Sequence, residues 1–274
     1  MSGMRPLLVV GGGKMGSALL AGWLGRGIAP GDVHVVEPNP DGAEALRRDF
    51  GVNAVASADD LPAGITPQFV MFAVKPQVMD QVVPAYARFA GGDTVFLSIA
   101  AGKPIKFFES FLGDAAAIVR AMPNTPAAVG RGATVAVANA HVTDTQARLC
   151  HDLLAAVGIV HWVEDEDLIH AITGLSGSGP AYVFHMVEAL AEAGRAAGLP
   201  GDMADALARA TVAGAGELLQ RSPETPETLR RNVTSPGGTT AAGLAVLMAE
   251  DGGLTDLLTR TVAAATRRSR ELAG

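Results

Sequence analysis

The chain has 274 residues, more than one domain usually takes, so two domains or one domain with a large appendage are expected. Its formal net charge of −7, with no cluster of Lys or Arg, excludes a nucleic-acid footprint, and the single Cys150 excludes an intrachain disulfide framework. Hydrophobic residues reach 49%, yet no run approaches the roughly 18 apolar residues of a membrane span, so no membrane partner is expected and that surface must be buried in protein. Aromatics are only 5% and alanine is abundant, so small side chains let helices approach closely and part of the burial is expected between chains, in an oligomer.

The first residues lead into a strand without the apolar segment and cleavage site of a signal peptide, which points to a cytoplasmic protein. Residues 7–10 form a short apolar run that meets Gly11-Gly12-Gly13, and apolar residues then recur at helical spacing over 15–24. Gly11-x-Gly13-x-x-Gly16 thus sits between a strand and a helix, the context of a dinucleotide-binding turn. The first glycine permits the tight turn, the second lets backbone approach a pyrophosphate and the third permits close helix packing, with the helix N-terminus receiving the charge. The bland alternative is a glycine-rich connection with no ligand.

Residues 33–36 repeat the strand signal and stop at Glu37-Pro38-Asn39-Pro40, before a helical pattern at 43–50. Glu37 lies about 20 residues beyond the fingerprint, where a carboxylate accepts hydrogen bonds from an adenosine ribose. That favours NADH over NADPH, because a carboxylate repels a 2′-phosphate unless Asn39, Arg47 or Arg48 compensates. Further strands are predicted at 52–55, 68–74, 94–99, 116–120, 133–138 and 159–163, with helices at 78–89 and 143–157. The alternation implies a parallel sheet covered by helices. Ala73-Val74-Lys75-Pro76 falls at a strand's carboxyl end, where Lys75 either meets a ligand or closes the strand. Met122-Pro123-Asn124-Thr125-Pro126 falls at another, where two prolines stiffen either a polar wall or a crossover loop.

After Glu164-Asp-Glu-Asp167 the strand signals vanish, and helices are expected at 181–197, 202–220, 239–249 and 254–272. The reading is an α/β Rossmann-type dinucleotide-binding domain over 1–163 and an all-α domain over 164–274. Two helix entrances in the second part carry hydroxyls and glycines. One is 173–182, beginning at Thr173 with Pro180 suited to a first helical turn; the other is Ser235-Pro-Gly237-Gly238-Thr239-Thr240. The glycines of the latter let N–H groups approach a small anion and the hydroxyls add donors, although the same residues also make an ordinary turn with a hydroxyl cap. The six histidines show no zinc-like spacing, no metal site is expected, and only His185, one turn into the helix after Pro180, stands out for testing.

Five segments occur in order: Gly11-Gly-Gly-Lys14-Met15-Gly16, Ala73-Val-Lys-Pro76, Met122-Pro-Asn-Thr-Pro126, Leu175-Ser-Gly-Ser-Gly-Pro-Ala-Tyr182 and Asn232-Val-Thr-Ser-Pro-Gly-Gly-Thr-Thr240. In them the chain resembles the pyrroline-5-carboxylate reductase family over essentially its whole length. The resemblance implies reduction of the ring C=N bond of 1-pyrroline-5-carboxylate to L-proline with NADPH or NADH. It also implies a homodimer with interlocked helical domains, often assembled further into a decamer. It places the substrate carboxylate against Ser235, Gly237, Gly238 and Thr239, the ring nitrogen at the Thr240 hydroxyl and Thr173 on the substrate side, so that Thr240, Ser235 and Thr173 form the catalytic group. Gly11, Gly13, Lys14, Met15, Gly16, Glu37, Ala73, Val74, Lys75, Pro76, Met122, Pro123 and Asn124 fall on the cofactor side.

Two departures stand out. Glu37-Pro-Asn39 replaces the polar residues suited to a 2′-phosphate that the family often carries, and 222–226 differs from the more usual Glu-His-Pro pattern, with Glu224 as the stand-in for the glutamate. Hydride transfer to a protonated imine needs orientation more than acid catalysis, which agrees with a site lacking a His or Asp pair. A β-hydroxyacid dehydrogenase on the same plan would carry a lysine base on the helix after Pro180, and 181–197 contains no lysine. A dinucleotide-binding relative without catalysis is the remaining alternative, disfavoured by intact Thr173, Ser235 and Thr240.

Overall fold

A computed structural model describes residues 5–273, so the opening residues read as free of a signal peptide lie, up to residue 4, outside the described part. Residues up to Gly177, together with those from Ala265 on, form one compact unit, and Ser178–Ala264 form a second.

The first unit is built on eight strands: β1 (Leu7–Val10), β2 (Val33–Val36), β3 (Asn53–Val55), β4 (Phe69–Phe72), β5 (Val95–Ser98), β6 (Ala117–Met122), β7 (Gly132–Ala138) and β8 (Gly158–Trp162). They lie in the order β3-β2-β1-β4-β5-β6-β7-β8, and every neighbouring pair is parallel except β6 with β7. The central strands Leu-Leu-Val-Val and Phe-Val-Met-Phe are buried throughout because helices cover both faces of the sheet. Strand periodicity sorts them onto two cores. Leu7, Val9, Phe69 and Met71 face one side with Leu19 and Trp23, whereas Leu8, Val10, Val70 and Phe72 face the other with Met79, Phe96 and Phe108. Each of these large side chains contributes about 1.5–3 kcal/mol on burial.

The helices of this unit are α1 (Lys14–Gly25), α2 (Pro40–Phe50), α3 (Met79–Val82), α4 (Ile105–Leu112), α5 (Asp144–Ala155) and α6 (Leu168–Ile172). A single helix at 78–89 does not form. The segment divides into a 3-10 turn Pro76–Val78, α3 and a second 3-10 stretch Val83–Phe89, because Pro84 has no N–H to give and its ring crowds the preceding turn. Helix α4, not anticipated, buries Ile105, Phe108 and Leu112 at the i, i+3 and i+7 spacing of one face. After β8 the first unit continues through α6 into a π-helical turn, Thr173–Gly177.

The second unit is helical among its described residues. It begins with α7 (Gly179–Ala196) and α8 (Gly201–Arg221), continues with α9 (Pro226–Asn232) and α10 (Thr239–Leu247), and includes the start of α11 (Leu254–Ala273). Helices α7 and α8 pack closely because Gly194 faces Ala204: a Cβ at 194 would come within 3.2 Å of the alanine methyl. Arg195 ties α7 to α8 with a hydrogen bond to Asp205 at 2.7 Å and is steadied on its own helix by Glu192 at 3.1 Å. No helix among the described residues is long and apolar enough to cross a membrane.

Candidate active site

Strands β2 and β3 extend the sheet to one side of β1, while β4 and those after it extend to the other. The carboxyl ends of β1 and β4 therefore form the switch-point crevice where open α/β sheets take ligands. The glycine turn fills that crevice. Gly11 adopts φ +99°, and a Cβ there would meet Val74 at 2.8 Å and the Ala73 backbone at 3.0 Å. A Cβ on Gly16 would meet the Gly11 carbonyl oxygen at 2.5 Å, so only glycine lets α1 sit this close to the turn. Gly13 differs from both: nothing lies within 4 Å of its Cβ position. It caps α1 without a side-chain hydrogen bond and no acidic residue stands in the first turn, so the helix N-terminus opened by Lys14 and Met15 keeps donors for an anion. The residues present fit a dinucleotide pyrophosphate.

The neighbouring strand ends are tied to this turn. Gly11 N–H donates to Val36 O at 2.9 Å and Ala73 N–H to Val10 O at 2.8 Å. Gly12 N–H donates to Glu37 Oε2 at 2.8 Å, which brings the predicted ribose carboxylate against the glycines. Ala73 and Val74 leave the end of β4 half-buried, and Lys75 is exposed before the Pro76 turn. Two residues that sequence reasoning passed over belong here. Gly12 has no room for a side chain because Leu46 occupies it, and Ser17 Oγ–H donates to Gly12 O at 2.8 Å.

Asn124 turns out to be a brace. Its Oδ1 accepts from Ala133 N–H at 2.8 Å and its Nδ2 donates to Ser176 O at 3.1 Å, so one side chain joins the loop after β6, strand β7 and the π turn. Met122 packs against Gly177, where a Cβ would come within 2.5 Å of its Cε. In the π turn Thr173 Oγ–H donates to Ile169 O at 2.7 Å and Ser176 Oγ–H to Ile172 O at 3.2 Å. Thr173 therefore offers a ligand its lone pairs, its proton being committed to its own helix. The turn is anchored upstream by Glu166, whose Oε1 accepts from buried Arg120 at 2.7 Å and from Ile105 N–H at 2.9 Å. Nothing in the sequence marked Glu166 beyond its place in an acidic run.

In the second unit Gly237 takes φ +68° and Gly238 N–H donates to Ser235 O at 3.1 Å, closing a tight turn in front of α10. A Cβ on Gly238 would collide with Ser235 Oγ, so the serine hydroxyl occupies the space the second glycine leaves. Gly238 caps α10 without a side-chain bond and the first turn holds no acidic residue. Ser235, Thr239 and Thr240 are exposed around this positive helix end. The ordinary-turn reading would have a hydroxyl bonded back into the helix as its cap; here the cap position is glycine. Glu224 accepts from Asn232 Nδ2 at 3.2 Å, which fixes the 222–226 connection to the end of α9.

His34 is held below its ordinary pKa by burial, His170 Nδ1 lies 3.0 Å from Ser269 Oγ in a buried pair, and exposed His185 meets Glu188 at 2.9 Å. Burial pushes the Cys150 thiol well up, so it is an inert core group. Among the described residues no group of His, Cys, Asp and Glu could hold a metal.

Comparisons with known proteins point to one family. Residues 166–272 match the family model described as pyrroline-5-carboxylate reductase dimerisation, and residues 7–102 match one described as NADP oxidoreductase, coenzyme F420-dependent. The chain is 42% identical to a pyrroline-5-carboxylate reductase of Synechocystis, with 96% of this chain and 97% of the relative covered. To that of Pisum sativum it is 39% identical, over 96% and 94%. Among solved structures, a pyrroline-5-carboxylate reductase from Coxiella burnetii superposes with a TM-score of 0.92 at 35% identity, covering 99% of this chain and all of that one. A Plasmodium falciparum pyrroline carboxylate reductase with NADP bound gives 0.81 at 29% identity, covering 99% of this chain and all of that one. With a glycine cradle at the switch point, a hydroxyl-lined helix entrance and near-complete coverage by such relatives, this chain belongs to the pyrroline-5-carboxylate reductase family.

Proposed function

We propose that this chain reduces 1-pyrroline-5-carboxylate to L-proline with a reduced nicotinamide dinucleotide, closing proline biosynthesis. The observation that carries the reading is that each unit offers a helix N-terminus without a side-chain cap behind a glycine turn: α1 behind Gly13, suited to a pyrophosphate, and α10 behind Gly238, suited to a carboxylate. The bound nicotinamide supplies a hydride, which forms the new C–H bond at the imine carbon while the C=N π electrons become the lone pair of the ring nitrogen. The nitrogen keeps the proton it brought as iminium, so the product is the neutral secondary amine before solvent protonates it.

The chain's own residues bind and orient. N–H groups at the start of α10, with Ser235, Gly237, Gly238 and Thr239, hold the substrate carboxylate, and the Thr240 hydroxyl holds the ring nitrogen in place for transfer. Thr173, with its proton given to Ile169, is a positioning group on the substrate side. On the cofactor side, Gly11, Gly13, Lys14, Met15 and Gly16 take the pyrophosphate. The backbone at Ala73, Val74, Lys75 and Pro76, and that at Met122, Pro123 and braced Asn124, flanks the nicotinamide and its ribose. The exposed apolar residues of the helical unit, Phe184 and Leu218 among them, support a homodimer as the minimal assembly, with a decamer as its larger form.

Proline formation from 1-pyrroline-5-carboxylate, followed with NADH and with NADPH, tests the reading directly. Turnover with at least one is expected, and absence of turnover with both would overturn it.

A further inference from the structure

The end of β2 holds more than an acidic residue. Glu37 Oε2 accepts from Gly12 N–H at 2.8 Å and Oε1 accepts from Asn39 N–H at 3.0 Å, so both carboxylate oxygens are pinned by backbone. Two glycines make room for it: a Cβ on Gly12 would lie 3.3 Å from Oε2, and one on Gly42 would lie 3.2 Å from Cγ. Glycine inside the first turn of a helix is a stability cost, which this packing accounts for. A carboxylate has about four lone-pair sites, so two remain for the two hydroxyls of a ribose.

The groups that could instead welcome a 2′-phosphate are already engaged. Asn39 N–H is given to Glu37, and Gly42 N–H is given to Asn39 Oδ1 at 2.9 Å, so the entrance of α2 is capped from within. Arg47 directs Nε and Nη2 to Ala54 O at 3.1 and 2.7 Å and Nη1 to Glu44 at 3.2 Å. Arg48 is paired bidentately with Asp49, at 2.8 and 3.2 Å. Both arginines also stand in the last turn of α2, roughly 10 Å along the helix from its entrance. Lys14 begins α1 and serves the pyrophosphate end.

We infer that this chain selects NADH over NADPH, with Glu37 as its specificity-determining residue: a fixed carboxylate bonds the free ribose hydroxyls and repels a 2′-phosphate, while Arg47 and Arg48 are already bonded to Ala54, Glu44 and Asp49. The NADP in the Plasmodium falciparum structure belongs to that protein. The inference rests on the placement of the dinucleotide at Gly11–Gly16, and binding alone separates the two claims.

The experiment titrates the full-length chain at equilibrium with NADH, NADPH, ADP-ribose and 2′-phospho-ADP-ribose, in the absence of substrate, and repeats the series with Glu37→Ser and Glu37→Gln. Wild type is expected to bind NADH and ADP-ribose roughly tenfold tighter than their 2′-phosphorylated counterparts. Glu37→Ser is expected to bring the ratio to unity or below, mainly by strengthening NADPH binding. Glu37→Gln keeps the shape and the acceptor while removing the charge, and is expected to recover a severalfold gain for NADPH even if the serine variant unfolds. Equal or tighter binding of NADPH by wild type would overturn the inference, as would a ratio that neither variant moves. Failure of all four probes to bind would overturn the cradle placement as well.

Discussion

The two units of this chain solve the problem of burial differently. In the first, large side chains such as Trp23, Phe69, Phe72 and Phe108 are fully buried within the chain, and aromatic rings around Phe72 stack face to face or edge to face across the second core. In the second, the buried hydrophobic residues are three alanines, Ala191, Ala204 and Ala208, while Phe184, Leu190, Leu207, Leu218, Val246 and Leu258 are exposed. A helical unit that leaves its large apolar residues outside has its core completed by another surface, and the matching family model is one of dimerisation. One unit thus carries its own core, and the other depends on association.

The contrast can be broken at its most rigid point. Gly16→Val drives a side chain into the Gly11 carbonyl oxygen and is expected to abolish dinucleotide binding and lower thermal stability sharply. Gly13→Val, with open space at its Cβ and φ −66°, is expected to lose only the modest stability of a poorer helix cap, far less than Gly16→Val, while losing about 10- to 100-fold in cofactor affinity as the new side chain meets the ligand. Equal melting temperatures for the two variants, read by calorimetry, would contradict the different roles given to these glycines.

The helical unit offers the next test. Phe184→Glu together with Leu258→Glu places charges on two exposed apolar positions, at 62% and 40% exposure. Sedimentation velocity is expected to show a lower assembly state and turnover to fall by about tenfold or more, with the dinucleotide dissociation constant changed by no more than about twofold because the first unit keeps its own core. An unchanged sedimentation coefficient would remove this surface from the interface.

The most local effect belongs to the turn before α10. If Thr240 holds the ring nitrogen as proposed, Thr240→Ala is expected to lower kcat/KM by about 10- to 50-fold, corresponding to about 1.4–2.3 kcal/mol. Cofactor affinity should stay at the wild-type value, since the change lies on the other unit. Unchanged steady-state kinetics would take Thr240 out of the mechanism.

Much of this architecture was readable in one dimension because it rests on local signals. The continuous apolar runs at 7–10 and 69–72, the glycines between strand and helix, and the alanine-rich helical periodicity after 167 each follow from short-range spacing. Elements with weak or mixed local signals were not. Helix α4 carries three phenylalanines that read equally well as a strand or a loop, and it becomes a helix by burying Ile105, Phe108 and Leu112 in the sheet's second core. The π turn at Thr173–Gly177 depends on tertiary partners, Asn124 at Ser176 and Met122 at Gly177, that no window of sequence contains.

The same division runs through the site. The sequence by itself determined which residue types were available: glycines for close approach, hydroxyls before α10, a carboxylate after β2 and no lysine base after Pro180. Tertiary structure decided what each was free to do. It made Asn124 a brace between the loop after β6, strand β7 and the π turn, and committed the Thr173 proton to Ile169. It also bonded Arg47 to the carbonyl of Ala54. The physical reason is that a hydrogen bond is a matter of distance and direction in three dimensions, whereas spacing along the chain fixes only which groups compete to make it.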